Sequence, residues 1–369
     1  MILMNKDIPV LWFDTEDKLV QVLNNDMLPY QLKDFIKSSE ELTTLSQMIN
    51  NYDALRHFFA DRVLTLSRQN AKQILISIQN TQKLTEEESY KLSLSCRGVS
   101  ICDSFWVKQD DEDISFSQIN VRNTSLSNIV FQISMKGTPI TLQRSILAPD
   151  ITTGGMFSKT WVREPDGLWL YKSDSTLDKI NTKMELEVSR VLDNSNINHV
   201  QYEAVTKDNV FCCKCKCITS DNISFVDAEY IKDYCAHTDK DFELSIKKNF
   251  AVDFANMVVA DYIFANPDRH NNNWGFMVDT NTNSIESLSP IFDNNQAGIA
   301  LVLEKEKEFD ELMYPPTNTT ILEAIHDWAR YSNAEFYNLS EPYLSRYEKV
   351  QRIKENDIKT VDAFSIEKE

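Results

Sequence analysis

The chain has 369 residues, of which 42% are hydrophobic and 10% aromatic, and its formal net charge at pH 7 is −18. A chain of this length can bury a substantial core and typically forms two or three domains. The negative charge argues against nucleic acid or an anionic membrane as partner, since both favour basic surfaces, and no run approaches the roughly 20 apolar residues of a membrane span.

The first residues, Met1 to Asp7, lack the basic and apolar segments of a signal peptide, so we expect a cytoplasmic protein with free thiols. Four of its seven cysteines stand close together, at positions 212, 213, 215 and 217. Cys212 and Cys215 have the spacing of half a zinc site, but no second pair of ligands stands nearby. The alternation from Val210 to Ile218 therefore favours a strand over a metal site.

The first region, residues 1–133, is rich in helical pattern. Apolar residues from Leu42 to Leu66 recur at helical spacing, and Thr85 to Glu88 form a capping box in front of a further apolar stretch. Nothing in this region has catalytic spacing. We therefore predict a mainly helical accessory or docking domain.

The second region, residues 134–220, mixes strand and helix signals. Glycines 154 and 155 interrupt regular secondary structure, and the apolar run from Gly167 to Lys172 predicts a buried strand. Thr182 to Leu192 has helical periodicity, and Val210 to Thr219 predicts a further strand. Together these elements predict a small α+β lobe.

The third region, residues 221–369, is predicted to be mainly helical. The apolar stretch from Phe250 to Ala265 predicts a long buried helix that ends before Pro267, because proline cannot continue a helix. Further helices are predicted at about Thr320 to Arg330 and Glu341 to Lys354.

An unbroken polar run from Asp268 to Asn273 follows the long helix. Kinases place an acidic residue that orients the acceptor hydroxyl and a magnesium-binding Asn at this same five-residue spacing. Phe292 and Asp293 follow a predicted hairpin, so Asp293 offers the second metal carboxylate that such chemistry requires. Each feature alone is more often a polar loop or a turn residue. Their order along the chain indicates a phosphoryl-transfer centre.

The expected phosphate contacts lie in the second region. The turn that contains the two glycines ends in Lys159-Thr160, but a Walker A motif requires Gly before the Lys and a helix after it. Ser158 precedes Lys159 and a strand follows, so we reject that interpretation. Lys172 ends the predicted buried strand, where a Lys can hold phosphates while paired to a Glu on the next helix, either Glu185 or Glu187.

At these residues the chain resembles the HipA-like serine/threonine kinases and, more distantly, the phosphoinositide kinases. The resemblance rests on Asn266 to His270 with Asn273, on Phe292-Asp293, and on Lys172 after the double glycine. It covers roughly residues 150–330. It implies an α+β, bilobal protein-kinase-like fold with a mainly helical N-terminal extension, and it implies ATP and Mg²⁺ as cofactors.

The resemblance also implies a role for each residue. Asp268, Lys172 and Asn273 are the expected catalytic residues, with Asp268 as the base; Asn273 and Asp293 are the expected magnesium ligands. Glu185 is preferred over Glu187 as the partner of Lys172. Other expected ATP contacts lie in the glycine turn, the hinge strand and the two polar loops, at Thr153, Gly154, Gly155, Met156, Phe157, Ser158, Lys159, Cys215, Cys217, His270 and Phe292.

The expected activity is transfer of the γ-phosphate of ATP to a Ser or Thr hydroxyl of a protein substrate. The resemblance also implies autophosphorylation as a further hypothesis, because members of this family can phosphorylate their own phosphate-binding loop and Thr152, Thr153 and Ser158 are hydroxyls in the corresponding place. The N-terminal region does not match the small domain that precedes the kinase core in HipA toxins. An antitoxin or regulatory partner bound through this region is therefore left open, together with a toxin role.

Three alternatives remain open from the sequence. In the first, the acceptor of the phosphate is a lipid or a small molecule. In the second, the chain is a nucleotide-binding pseudokinase or a docking module. The third is a metal-dependent hydrolase that uses Asp268, His270 and Asp293, which leaves Lys172 without a role. One departure from the kinase pattern bears on all of them, because Asn294 and Asn295 follow Asp293 where a glycine is usual.

Overall fold

A computed structural model describes residues 1–38, 41–42, 44–63, 69–79, 85–123, 128–137, 158–174, 179–298 and 306–366. Residues Thr152 to Phe157 of the predicted phosphate-binding turn lie outside the described residues. Within the described part of the chain, no helix is both long enough and apolar enough to cross a membrane.

The N-terminal region combines a sheet with helices. Its strands are β1 (Ile2–Asn5), β2 (Ile8–Asp14), β3 (Leu19–Val22) and β4 (Phe105–Lys108), and its helices are α1 (Leu45–Ala60), α2 (Ala71–Gln79), α3 (Glu86–Ser95) and α4 (Phe116–Ile119). The strands form an antiparallel sheet in the order β3-β2-β1-β4. Thr85 caps α3 in the predicted capping box, and the apolar faces of α1 and α3 share one core with the sheet.

The second region is a small lobe built on a four-stranded antiparallel sheet. Its elements are α5 (Asn128–Lys136), β5 (Ser158–Glu164), β6 (Gly167–Ser173), α6 (Ile180–Leu192), β7 (Tyr202–Lys207) and β8 (Val210–Lys216), and the strand order is β5-β6-β8-β7. Helix α5 covers one face of the sheet through Phe131 and Met135, which share a core with Trp169, Tyr171 and Cys212. Side chains alternate along β6, so Lys172 lies on the opposite face.

The third region is mainly helical. Its elements are β9 (Ile223–Asp227), α7 (Ala228–His237), α8 (Phe242–Asn249), α9 (Ala251–Ile263), β10 (Gly275–Asp279), β11 (Ser284–Leu288), α10 (Glu306–Asp310), β12 (Met313–Tyr314), β13 (Thr319–Thr320), α11 (Ile321–Trp328) and α12 (Tyr343–Ile366). Helix α9 is buried at every position from Phe254 to Ile263, as expected for a helix that is apolar on all sides. The mixture of helices and sheets confirms the predicted α+β class.

Strands β9, β10 and β11 form a small antiparallel sheet, and its middle strand β10 directly follows the predicted catalytic loop. Gly275 begins β10, and a Cβ atom at this position would lie 2.2 Å from the carbonyl oxygen of Val226. Only glycine permits this approach. The close contact between β9 and β10 therefore fixes the point at which the catalytic loop returns to the sheet.

The N-terminal region contacts both the third region and the connection between β8 and β9. Asn5 Nδ2 donates to the Thr280 carbonyl at 2.9 Å, and Asn283 Nδ2 donates to the Leu28 carbonyl at 2.7 Å. In the connection, Thr219 Oγ1 donates to the Ile101 carbonyl at 2.6 Å. These bonds tie β1 and the segment after β3 to the β10–β11 turn, and they tie the segment before β4 to the connection between the two lobes.

Candidate active site

Lys172 is the centre of a buried polar cluster at the junction of the two lobes. Its side chain is 9% exposed, and its Nζ lies 2.6 Å from Glu185 Oε1 and 3.0 Å from Asp293 Oδ1. The third hydrogen bond of the ammonium group goes to the Tyr202 hydroxyl at 3.0 Å. All three ammonium hydrogens therefore have acceptors.

Two features of the fold bring Glu185 to Lys172. Helix α6 packs on the face of the small sheet that carries Lys172, and Glu185 is 1% exposed on the inner side of that helix. Its second oxygen accepts a short hydrogen bond from the Asn294 backbone N–H, so the same carboxylate also touches the Asp293 loop. Glu187 faces outward instead and pairs with Arg190 at 2.8 Å.

The charges in this cluster shift one another's pKa values. Burial alone would lower the pKa of Lys172, but the carboxylates of Asp293 and Glu185 raise it well above its ordinary range. Burial raises the pKa of Asp293, but Lys172 and Lys159 outweigh this effect and hold that pKa below its usual value. Lys172 is therefore a cation and Asp293 an anion at neutral pH.

A second lysine stands beside the first. Lys159 on β5 is the cross-strand partner of Lys172 on β6, so both side chains lie on the same face of the sheet. Lys159 is buried, and its charge lowers the pKa of Asp293. The structure therefore brings two cations to one carboxylate, which is a suitable setting for a polyanionic ligand.

The predicted catalytic loop is held by Arg269, which is fully buried. Its guanidinium binds the Asp261 carboxylate on helix α9 through Nε at 3.0 Å and Nη2 at 2.9 Å. Nη1 donates to the Asn273 carbonyl at 2.7 Å and to the Phe292 carbonyl, and Nη2 donates to Asn294 Oδ1 at 2.6 Å. One side chain thus joins the Asp268 loop to the Asp293 loop.

Asp268 is half-buried at the start of this loop. Burial and the nearby charge of Asp293 raise its pKa, while His270 and Arg269 lower it, and the net shift is upward. Asn273 Nδ2 donates to the Asp268 carbonyl at 2.9 Å, which closes the loop on itself. Asp268, Asn273 and Asp293 are therefore parts of one hydrogen-bonded unit around Arg269.

The residues present fit a magnesium ion. Mg²⁺ in nucleotide sites uses one or two protein carboxylates together with phosphate oxygens and water. Asp293 supplies a carboxylate, Asn273 supplies an amide oxygen, and a third oxygen, Asn295 Oδ1, is buried nearby without a hydrogen-bond partner. Among the described residues, no group of three or more His, Cys, Asp or Glu side chains forms a metal site of another kind.

The other predicted contacts are spread around this centre. Cys215 lies on β8 between Leu170 and Tyr202, and the Cys217 backbone N–H donates to the Leu168 carbonyl at 2.8 Å. Phe292 packs against Phe225 with 5.6 Å between ring centroids, His270 is exposed, and Ser158 is buried at the start of β5. The predicted contacts at Thr153, Gly154, Gly155, Met156 and Phe157 lie outside the described residues.

Several residues of the centre were missed by reasoning from the sequence. Asp261 carried a signal, because an acidic residue inside a mainly apolar, buried stretch of helix requires a buried cationic partner. Arg269 carried a weaker signal from its place inside the polar run. Tyr202 and Tyr314 carried no sequence signal. Tyr202 accepts a hydrogen bond from Lys172 only because their strands lie in one sheet, and Tyr314 donates to Asp261 at 2.7 Å from a strand that is distant in the sequence.

Residues 171–295 match the family described as phosphatidylinositol 3- and 4-kinase, about one third of the chain. This segment contains Lys172, Glu185, Asp268, Asn273 and Asp293. The comparison with curated proteins found no match. The family match therefore covers the polar centre and leaves the N-terminal region and the part of the helical lobe after residue 295 outside it.

Two solved structures are among those similar to this one. The first is the Shewanella oneidensis MR-1 toxin–antitoxin system of HipA, HipB and operator DNA, with 11% identity, a TM-score of 0.52, and coverage of 95% of this chain and 91% of that chain. The second is the Helicobacter pylori proinflammatory kinase CtkA, with 17% identity, a TM-score of 0.38, and coverage of 58% of this chain and 94% of that chain. The match to the HipA system, which spans nearly the whole chain, together with the family match shows that the chain has a HipA-like, kinase-type fold.

Proposed function

We propose that this chain is a phosphotransferase that moves the γ-phosphate of ATP to a hydroxyl group in the presence of Mg²⁺. One observation carries the proposal: Lys172 Nζ contacts Glu185 and Asp293 at once, at 2.6 Å and 3.0 Å. Kinases require a lysine paired to a helix glutamate and an aspartate that binds magnesium. A docking module without turnover has no need for this combination together with the Asp268 loop.

Each residue of the centre has a role in this proposal. Lys172 and Lys159 bind phosphate oxygens, and Glu185 holds Lys172 in position. Asp293 and Asn273 hold the metal, and bound Mg²⁺ would neutralise charge on the phosphate oxygens. Arg269 keeps the two loops at a fixed separation.

Asp268 orients the acceptor hydroxyl and takes its proton. The acceptor oxygen then forms a bond to the γ-phosphorus while the bond from that phosphorus to the bridging oxygen of ADP breaks. The raised pKa of Asp268 makes it a stronger base than an ordinary aspartate. Removal of its carboxylate should therefore abolish turnover without preventing ATP binding.

We propose a Ser or Thr hydroxyl of a protein as the acceptor. The net charge of −18 supports this choice, because an acidic protein is repelled by an anionic lipid surface. A lipid acceptor is the second candidate, and one observation favours it, namely the match of residues 171–295 to the phosphatidylinositol 3- and 4-kinase family.

The test uses γ-labelled ATP and Mg²⁺ with the full chain, offered either a generic protein mixture or vesicles that contain phosphatidylinositol. An Asp268→Ala variant is the matched control. Label on protein that is lost in the control supports the protein kinase, and label in the lipid fraction supports the lipid kinase. If the full chain fails to bind ATP, the phosphotransferase proposal is wrong.

A further inference from the structure

Asn295 is a buried residue whose side-chain amide oxygen has no hydrogen-bond partner among the described residues. Its side chain is 8% exposed, and Nδ2 donates to Asp293 Oδ1 at 2.7 Å. Its Oδ1 has no hydrogen-bond partner. Buried polar atoms in native proteins nearly always have a partner, so an atom of this kind indicates one that comes from outside the chain.

Two donor groups near Asn295, the Lys172 ammonium and the Asn294 backbone N–H, are already bonded to other acceptors. Lys172 gives its three ammonium hydrogens to Glu185, Tyr202 and Asp293. The Asn294 backbone N–H goes to Glu185. Asn295 lines a small cavity together with Lys172 and Glu185, so an empty space lies beside this side chain.

The chemistry of this oxygen favours a cation. The nitrogen and oxygen of an amide share one carbon atom, so an Asn295 nitrogen bonded to Asp293 places the oxygen close to the same carboxylate. A carboxylate and an amide oxygen side by side are the ligands that hard divalent cations prefer. In the kinase Asp-Phe-Gly segment the residue two positions after the metal-binding aspartate is glycine, which offers no such ligand.

We propose that Asn295 Oδ1 is a further oxygen ligand of the divalent cation that Asp293 carries. This proposal rests on the proposed function, because it uses the cation of that site. It assigns a role to the sequence Asn294-Asn295 that replaces the usual glycine: Asn294 binds Arg269 and Glu185, and Asn295 adds a ligand. The site would then hold its metal with more protein oxygens than Asp293 and Asn273 provide.

The test measures Mn²⁺ binding to the full chain by electron paramagnetic resonance of free Mn²⁺, alone and with a non-hydrolysable ATP analogue. Asn295→Leu should weaken Mn²⁺ binding about tenfold or more, the range seen when groups that support a metal site are removed. Asn295→Asp should tighten binding, because it adds a second carboxylate. Asp293→Asn is the positive control, and Asn272→Leu, at an exposed position of the neighbouring loop, is the matched control.

The outcomes separate this inference from the proposed function. Unchanged Mn²⁺ affinity in both Asn295 variants, with loss in Asp293→Asn, overturns the role of Asn295 and leaves the metal site in place. Unchanged affinity in Asp293→Asn overturns the metal site and this inference with it. Circular dichroism in the presence of EDTA checks folding; if Asn295→Leu does not fold, Asn295→Asp decides, and a failure to tighten binding overturns the proposal.

Discussion

Replacement of Arg269 by lysine tests whether one side chain holds the two loops of the centre together. Lysine keeps the positive charge opposite Asp261, but a single ammonium group cannot also reach the carbonyls of Asn273 and Phe292, which Nη1 binds together. Each hydrogen bond from a charged donor contributes about 1.5–3 kcal/mol. We therefore expect Arg269→Lys to lower the free energy of unfolding by ~3–5 kcal/mol, measured by urea denaturation.

Turnover should fall further than stability alone explains. Ordinary stabilities are about 5–15 kcal/mol, and a protein in the upper half of that range stays largely folded after such a loss. The loops that carry Asp268 and Asp293 would then share no common anchor, and a displacement of about 1 Å at a reacting group can cost roughly 100-fold in rate. We expect a loss of that order in kcat, with a much smaller change in ATP affinity.

A matched control exists in the N-terminal region. Arg62 is also buried, binds the Asp103 carboxylate with both Nη atoms at 2.7 Å and 2.8 Å, and donates to the Gly98 carbonyl at 2.7 Å. Arg62→Lys should destabilise the protein by a similar amount and leave kcat unchanged at a temperature where both variants are folded. Equal kcat values in Arg62→Lys and Arg269→Lys would refute the role of Arg269 in joining the loops.

Three further predictions follow from individual side chains. Glu185→Gln should lower kcat by about tenfold or more because the Lys172 pair loses a charge, whereas Glu187→Gln at the surface should change it by no more than about twofold; equal losses in steady-state assays would contradict the assignment. His270→Gln should move the acidic limb of the kcat/KM–pH profile to higher pH, since His270 lowers the pKa of Asp268, and a shift to lower pH would contradict this. Burial raises the pKa of Asp227 from 3.8 to about 7, so the native state binds a proton there more tightly than the unfolded state does, and its stability falls as pH rises between these values. Asp227→Asn should therefore stabilise the protein at pH 8 by a few kcal/mol, with a ceiling of ~4, and have little effect at about pH 4; equal urea-unfolding gains at both pH values would contradict it.

The elements with strong local signals were predictable from the sequence. The apolar stretch before Pro267 forms α9, the capping box at Thr85 begins α3, and alternation from Gly167 gives β6. In each case the periodicity of apolar residues or the cap chemistry acts over a few neighbouring residues, so no knowledge of distant contacts is needed.

The N-terminal sheet was not predicted, and the reason is physical. Strand β1 has four residues and pairs with β4 more than 100 residues later, where Leu3 meets Val107. Short strands that pair over such a distance leave no local signal comparable to a hairpin turn. The same holds for Tyr202 and Tyr314, whose contacts with Lys172 and Asp261 exist only after distant strands have packed. Local sequence patterns located the two polar loops. Which charged and polar side chains contact one another depends on how distant elements pack in the fold.

The bonds between the N-terminal strand and the β10–β11 turn set the order of folding during synthesis. Asn5 and Thr280, which share a hydrogen bond, are 275 positions apart in the chain. At about 5–20 residues per second, a ribosome makes Thr280 roughly 14–55 s after Asn5. Strand β1 pairs with β2 and β4 well before Thr280 is made, but the side chain of Asn5 must wait for its final acceptor throughout that time. The N-terminal region can therefore complete its contact with the helical lobe only late in synthesis, after the small lobe that lies between them in the sequence has been made.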